Sequence, residues 1–555
     1  MERAAAAMRA ADQPAELKGA LSLARSTGAL LRGDISSAGA VLEELTARVR
    51  EFASPLPVTI GLVSALHQLL LGSCESAGLK ARETLAAAAA EGMHDYDAWL
   101  SAINAAALLG AGERDAARTE LQSLEANGAA LRRGDRAAVH YLRAWLGALE
   151  GNAALAQREA RTAVAMAAES GMPWIECIAR VALAEMLAEA GDWRACEAQL
   201  RSAEALAMRL RSALLQYAVY LVAAAAAHER KDETSALAAL GTAFGLGREH
   251  GFQHVPAWRS PAVGDLCVLA LRAGVESDFA RTLARTHALV PRTLPFRVKD
   301  WPWPFRIQTL GRFDLQRSSG QIEASGKGPG RPLELLKVLI ALGGQSLRAD
   351  QLADALWPHA EADYAHKSFT ATLHRLRRLL GMEEALLLRD GRLSMNRSLL
   401  WVDTWALEQT LAELDETLRA PAPASLDMAA KLMDEVFALY RGPFLPDESE
   451  QPAYIAYREQ LRARLLRCLV RVARVWEDTG RGDAAVDGYL RCVEADPLFE
   501  APYRNLMLCY QRAGDAAEAR ATYERLRAIL STRMKTLPSQ ETQAVFAGLA
   551  ASGGR

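Results

Sequence analysis

Two periods divide the pattern of apolar and polar positions along this chain. In the first half, a short turn recurs with a small residue five positions after its start. It reads Gly33-Asp34 with Ala38, Gly72-Ser73 with Ala77, Gly112-Glu113 with Ala117, Gly151-Asn152 with Ala156, Gly191-Asp192 with Cys196, and Lys231-Asp232 with Ala236. The steps between turns are 39, 40, 39, 40 and 40 residues. A fixed period of this length predicts a solenoid of helix pairs over residues 1–290. Glycine at the turn takes the left-handed conformation that ends the first helix of each pair. The small residue lets the second helix approach closely, and pairs stack because none can bury its apolar face alone.

The repeat stops near Pro291. Residues 291–304 hold Pro291, Pro295, Pro302 and Pro304 and cannot be helix, so they read as a linker. Beyond it, Ile307, Leu310, Phe313 and Leu315 alternate with polar residues and predict one or two short strands, ended by a turn at 318–320. The glycines at 326–330 lack the spacing of a phosphate loop and give no nucleotide site. Three helices are expected next, over 332–342, 349–356 and 363–380. The first opens on proline and closes at Gly343-Gly344; the second stops at Trp357-Pro358. A hairpin over 386–395 follows, with Asp390-Gly391 as a type I′ turn signal.

On the third helix, Phe369, Leu373, Leu376 and Leu380 form one apolar stripe. At 100° per residue the opposite side holds Lys367, Ala371, His374, Arg375 and Arg378, with Thr370 and Arg377 at one margin. An apolar stripe that docks a helix, backed by a cationic and hydroxyl-bearing face, suits the major groove of duplex DNA. Arginine pairs with guanine edges or phosphates there, and Thr and Ala tolerate thymine methyls. Arg389 and Arg392 at the hairpin tip suit phosphate or minor-groove contact. A merely solvated basic face could carry the same residues.

From residue 401 the chain returns to helix, with a break at 421–423. Tyr440-Arg441-Gly442-Pro443-Phe444-Leu445 then interrupts, and Gly480, Ala485 and Tyr489 recur 34 residues later as Gly514, Ala519 and Tyr523. That is the step of the ordinary tetratricopeptide repeat.

Composition agrees with a mainly α protein. Half of the 555 residues are hydrophobic, many of them alanine, and aromatics are 6%. The formal net charge of −2 gives no global attraction to a polyanion. Between 364 and 397, however, seven basic residues face three acidic ones, the local footprint of a groove-reading element. The seven cysteines form no Cys-x-x-Cys pair and read as reduced thiols. No apolar run without charges is long enough to span a membrane, and the N-terminus, already helical and polar at 1–4, lacks a signal-peptide layout. A cytoplasmic protein is expected. Histidines are scattered, with no Ser/His/Asp or Cys/His set and no metal-ligand cluster, so neither enzyme, cofactor nor metal site is predicted.

Several segments resemble known families. The forty-residue repeats are similar to the tetratricopeptide repeats in the sensor arm of MalT-like bacterial regulators. Residues 305–403 resemble the OmpR-type winged-helix DNA-binding domain used by SARP-like transcriptional activators, through 335–342, 352–358 and the helix ending Leu376-Arg377-Arg378-Leu379-Leu380. Residues 404–550 resemble the bacterial transcriptional activation domain, through Tyr440–Leu445, Asp496-Pro497-Leu498-Phe499-Glu500, Leu506-Met507, Gly514 and Pro538. Two departures are visible: Thr370 and Ala371 imply fewer charged contacts than family members usually make, and Lys535-Thr536-Leu537 replaces the usual residues before Pro538-Ser539.

The fold so implied is a tetratricopeptide-type helical solenoid, a small α+β winged-helix domain and a C-terminal helical repeat domain. Carried over by position, the family's DNA contacts fall on Lys367, Ala371, Thr372, His374, Arg375 and Arg377; the wheel places Thr372 nearest the core side. The resemblance implies double-stranded promoter DNA as partner, a homodimer on DNA, contact with RNA polymerase, activation, and a protein or small-molecule effector at the repeats. Related large regulators place an ATPase module ahead of similar repeats; here the array begins almost at Met1, and ATP-gated control is not expected within this chain. The rival is a scaffold whose winged helix contacts protein.

Overall fold

The computed structural model describes residues 15–126, 131–254, 260–318, 320–321, 330–419, 422–448 and 451–552. The expected helix at 1–4, Ser319 of the expected turn, the glycine loop at 326–329 and the break at Pro421 lie outside these. Two compact units result, Met1–Trp301 and Pro302–Arg555.

The first unit is built of helix pairs: α1 (Ala15–Arg32) with α2 (Ile35–Ala47), α3 (Leu56–Leu70) with α4 (Cys74–Ala90), α5 (Asp97–Gly110) with α6 (Arg114–Ala126), α7 (Arg133–Leu149) with α8 (Ala153–Glu169), α9 (Pro173–Glu189) with α10 (Trp193–Leu210), and α11 (Ala213–Glu229) with α12 (Glu233–His250). A seventh pair, α13 (Ser260–Ala273) and α14 (Ser277–Thr286), extends the array beyond the turns that the period marks. The turn glycines take positive φ, and Lys231 holds the same conformation at φ 61°. Asp34, Asn152, Asp192 and Asp232 then cap the second helix by accepting the backbone N–H three residues on. The predicted small residues, from Ala38 to Ala236, are all buried against neighbouring helices. On α5, α7, α9 and α10, Trp145 is in the core, while Trp99, Trp174 and Trp193 are half-buried.

The second unit opens with β1 (Phe305–Gln308), β2 (Asp314–Arg317) and β3 (Gly320–Gln321). Next come α15 (Gly330–Ala341), β4 (Leu347–Arg348), α16 (Ala349–Leu356) and α17 (Ala362–Leu380). The hairpin β5 (Leu386–Arg389) and β6 (Arg392–Met395) and then β7 (Leu400–Val402) complete this body. One sheet has the order β3-β2-β1-β7, with β7 parallel to β1; the other has the order β4-β6-β5. Three helices with a hairpin at their side form a winged-helix arrangement. Seven helices follow: α18 (Asp403–Thr417), α19 (Pro423–Leu439), α20 (Pro452–Asp478), α21 (Gly482–Ala495), α22 (Glu500–Arg512), α23 (Ala516–Arg533) and α24 (Gln540–Ser552).

Hydrogen bonds join the α+β body to these helices. Asp403, buried where α18 starts, accepts from Thr309 N and Thr309 Oγ1 (both 2.6 Å), Leu310 N (2.8 Å) and Thr404 N (2.9 Å). The Tyr440–Leu445 motif lies against the end of β1: Gly311 N donates to Pro443 O (3.0 Å) and Leu445 N to Thr309 O (2.8 Å). A Cβ on Gly311 would stand 2.9 Å from Arg441 O, so only glycine fits this approach. Arg458 of α20 fixes the motif from behind, donating to Phe444 O and Leu445 O. At the far end, Ser539 and Thr542 donate to the Glu500 carboxylate, seating the first turn of α24.

Candidate nucleic-acid interface

The helix α17 is docked by Ala365, Phe369, Leu373, Leu376 and Leu380, all buried, against α15 and α16. Gly381, at φ 67°, ends it. Its last carbonyls would otherwise be orphaned; Arg317, reaching from β2, donates to Leu379 O (3.2 Å) and to Leu380 O. A cation at a helix C-terminus also complements the helix dipole. Apolar docking and this clamp together hold one face outward.

That face presents Lys367, Thr370, Ala371, His374, Arg375 and Arg378, all exposed. Tyr364, 64% exposed at the start of α17, joins them and was not singled out from sequence, where a tyrosine in a polar first turn carries no distinct signal. Two predicted residues face elsewhere. Thr372 is buried, 3% exposed, because it lies at the edge of the apolar stripe. Arg377 turns toward the hairpin and donates to Leu386 O at 2.8 Å, so it ties α17 to β5. Among the described residues no ion pair engages Lys367, Arg375, Arg378, Arg389 or Arg392.

The hairpin turn is type I′ in form, with positive φ at both Asp390 (49°) and Gly391 (69°). Register then creates a row: Arg389 pairs with Arg392, and Arg392 pairs on its other side with Arg348 of β4. Cross-strand partners project to one face of the sheet, so three arginines line up there. All three are exposed, and Arg392 also donates to Ser346 O (3.0 Å). Arg348 is a basic residue that sequence reasoning missed, since a two-residue strand leaves no periodicity. The nearby Arg397 belongs to the scaffold: its guanidinium lies 4.7 Å from the centre of the Trp405 ring and donates to Gly343 O. Among the described residues the helix face and, in the row, Arg389 and Arg392 present cations without acidic partners, while Arg348 lies 3.9 Å from the Asp350 carboxylate. Polyanion binding is the chemistry such a surface supports.

Residues 402–549 match the bacterial transcriptional activator domain. This segment begins in β7 and runs through α18 into α24. Over 240 residues the chain is 27% identical to the Regulatory protein AfsR of Streptomyces griseus, covering 42% of this chain and 23% of that protein. Over 236 residues it is 23% identical to the Transcriptional regulatory protein MoaR1 of Mycobacterium tuberculosis, covering 41% of this chain and 76% of that one. The chain therefore spans less than a quarter of the first relative. Among solved structures it is similar to Mycobacterium tuberculosis EmbR in complex with a low affinity phosphopeptide (18% identity, TM-score 0.36, 45% of this chain and 65% of that one). It is also similar to a Rap protein complexed with competence and sporulation factor (11% identity, TM-score 0.37, 81% of this chain and 99% of that one). Among the described residues no helix is long and apolar enough to cross a membrane, and no group of three or more His, Cys, Asp or Glu could hold a metal ion.

Proposed function

We propose that this protein is a sequence-specific, DNA-binding transcriptional regulator of the SARP-like kind, acting as an activator. Residues 305–403 act as an OmpR-type winged helix on double-stranded promoter DNA. Lys367, Thr370, Ala371, His374, Arg375 and Arg378 enter the major groove, while Arg348, Arg389 and Arg392 contact phosphates beside it. Residues 404–550 contact RNA polymerase or a second copy on adjacent DNA. Residues 1–290, a MalT-like array joined by the linker 291–304, receive a protein or small-molecule effector. The match of residues 402–549 to the activator domain supports the regulatory role.

The observation that carries DNA binding is the cationic row Arg348–Arg392–Arg389, in which Arg389 and Arg392 have no acidic partner among the described residues, beside a helix whose outward face holds no acid after Asp363. Mapping the genomic DNA bound by the full chain, followed by titration of the recovered sites against scrambled duplexes, tests it. Specific sites are expected to bind at least about a thousandfold tighter than scrambled ones. Absence of affinity for any duplex at low salt would leave a protein-binding scaffold in its place.

A further inference from the structure

The turn glycines of the first unit share one backbone conformation but not one environment. Gly33, Gly72, Gly112, Gly151 and Gly191 have φ of 96°, 80°, 83°, 77° and 75°. A Cβ on Gly112, Gly151 or Gly191 would meet nothing within 4 Å. On Gly33 it would stand 2.8 Å from the Phe252 ring and 2.9 Å from the backbone nitrogen of Leu214; on Gly72, 3.1 Å from the Cβ of His254. The turns of the first two pairs are therefore covered, and what covers them comes from the start of α11 and the segment that leaves α12. Phe252 is 1% exposed in the Gly33 notch and lies 5.6 Å from the Tyr217 ring.

A hydrogen bond reinforces this closure. Ser212, which caps α11, donates through Oγ to Leu31 O at 2.7 Å across 181 residues. Leu31 O is among the last carbonyls of α1, which no residue of that helix can satisfy. Accordingly α1 and α11, the first helices of pairs one and six, touch each other.

We infer that the segment Phe252–His254, together with Ser212, is a latch that closes the array on itself by seating on the turns at Gly33 and Gly72. In a solenoid, stability is close to a sum of terms within repeats and between neighbours. A contact between the sixth and first pairs lies outside that sum. Breaking it leaves every sequential interface intact and frees the array to open. Opening uncovers the surfaces at which α1 and α11 meet. A partner that binds there competes with the latch, and its apparent affinity is reduced by the fraction of closed array.

Hydrogen exchange on the full chain tests the latch. Gly33→Ala and Gly112→Ala carry the same cost of a Cβ at positive φ, but only the first displaces Phe252 and Leu214. A second variant, Phe252→Ala with Ser212→Ala, removes the latch without touching a glycine. In Gly33→Ala and in the double variant, amides at 29–34 should exchange at least about tenfold faster than in wild type. Amides within α5–α8 should keep wild-type rates, and Gly112→Ala should match wild type at 29–34. Equal behaviour of Gly33→Ala and Gly112→Ala would overturn the inference. So would faster exchange throughout α5–α8 in the double variant, which would make Phe252 part of a common core.

Discussion

Arg389 and Arg392 stand directly opposite one another across the β5–β6 hairpin, and Arg348 stands opposite Arg392 on the next strand. Like charges in such a row weaken a sheet by up to about 1 kcal/mol. The row therefore costs stability that an anion recovers. Arg389→Ala and Arg348→Ala should each leave thermal stability unchanged or slightly raised while weakening duplex affinity. Thermal unfolding and fluorescence anisotropy on the same preparations check this. Lower stability with unchanged affinity would mean that the arginines serve the fold.

Arg375 and Arg377 are neighbours but one helix margin apart, and their substitutions should separate. Arg375→Ala should weaken binding and reduce the salt slope by about 1, with stability unaffected. Arg377→Ala removes the donor to Leu386 O and should lower unfolding free energy by about 1–2 kcal/mol. A salt titration paired with a denaturant titration distinguishes them.

Asp403 joins the end of β1 to α18 by three accepted hydrogen bonds and accepts a fourth from Thr404 N beside it. Burial pushes its carboxyl up, against the pull of the Thr309, Leu310 and Thr404 donors. Asp403→Ala strands buried backbone donors and should destabilise the second unit by roughly 3 kcal/mol. Denaturant unfolding followed by near-ultraviolet circular dichroism would detect it, and a shift below about 1 kcal/mol would show that water replaces the carboxylate.

Burial, with His287 alongside, pushes His254 down to about 4; His287 is lowered in the same direction by burial. The folded state thus binds fewer protons than the unfolded chain, whose histidines titrate near 6.5. Stability of the first unit is complete above about pH 6.5 and should fall progressively toward pH 4. His254→Gln should flatten that dependence in thermal melts across this range. A wild-type profile that is flat between pH 6.5 and 4 would contradict the burial of a neutral imidazole.

What was legible in the sequence was local. The turns from Gly33 to Lys231 and the helix at 349–356 depend on residues a few positions apart, as do the Asp390-Gly391 turn and the Phe369–Leu380 stripe. All appear where the pattern places them. The seventh pair escaped because its turn at Gly274 lies 43 residues after Lys231 and no Asp follows the glycine. The parallel pairing of β7 with β1 joins residues nearly a hundred positions apart, and the row through Arg348 depends on a two-residue strand. The inward turn of Arg377 was open to either outcome, since the wheel leaves it at a margin and only the position of Leu386 decides. The Arg317 clamp on α17 crosses from another element, and helical periodicity carries no trace of it.

The most direct measurement is the affinity of the full chain for its mapped promoter site as a function of salt, with Arg348, Arg389 and Arg392 replaced together by alanine. Wild type should lose affinity steeply as salt rises, and the triple variant should bind more weakly with a slope shallower by about 3. Equal affinity and equal slope in the two proteins would contradict the assignment of this surface to DNA.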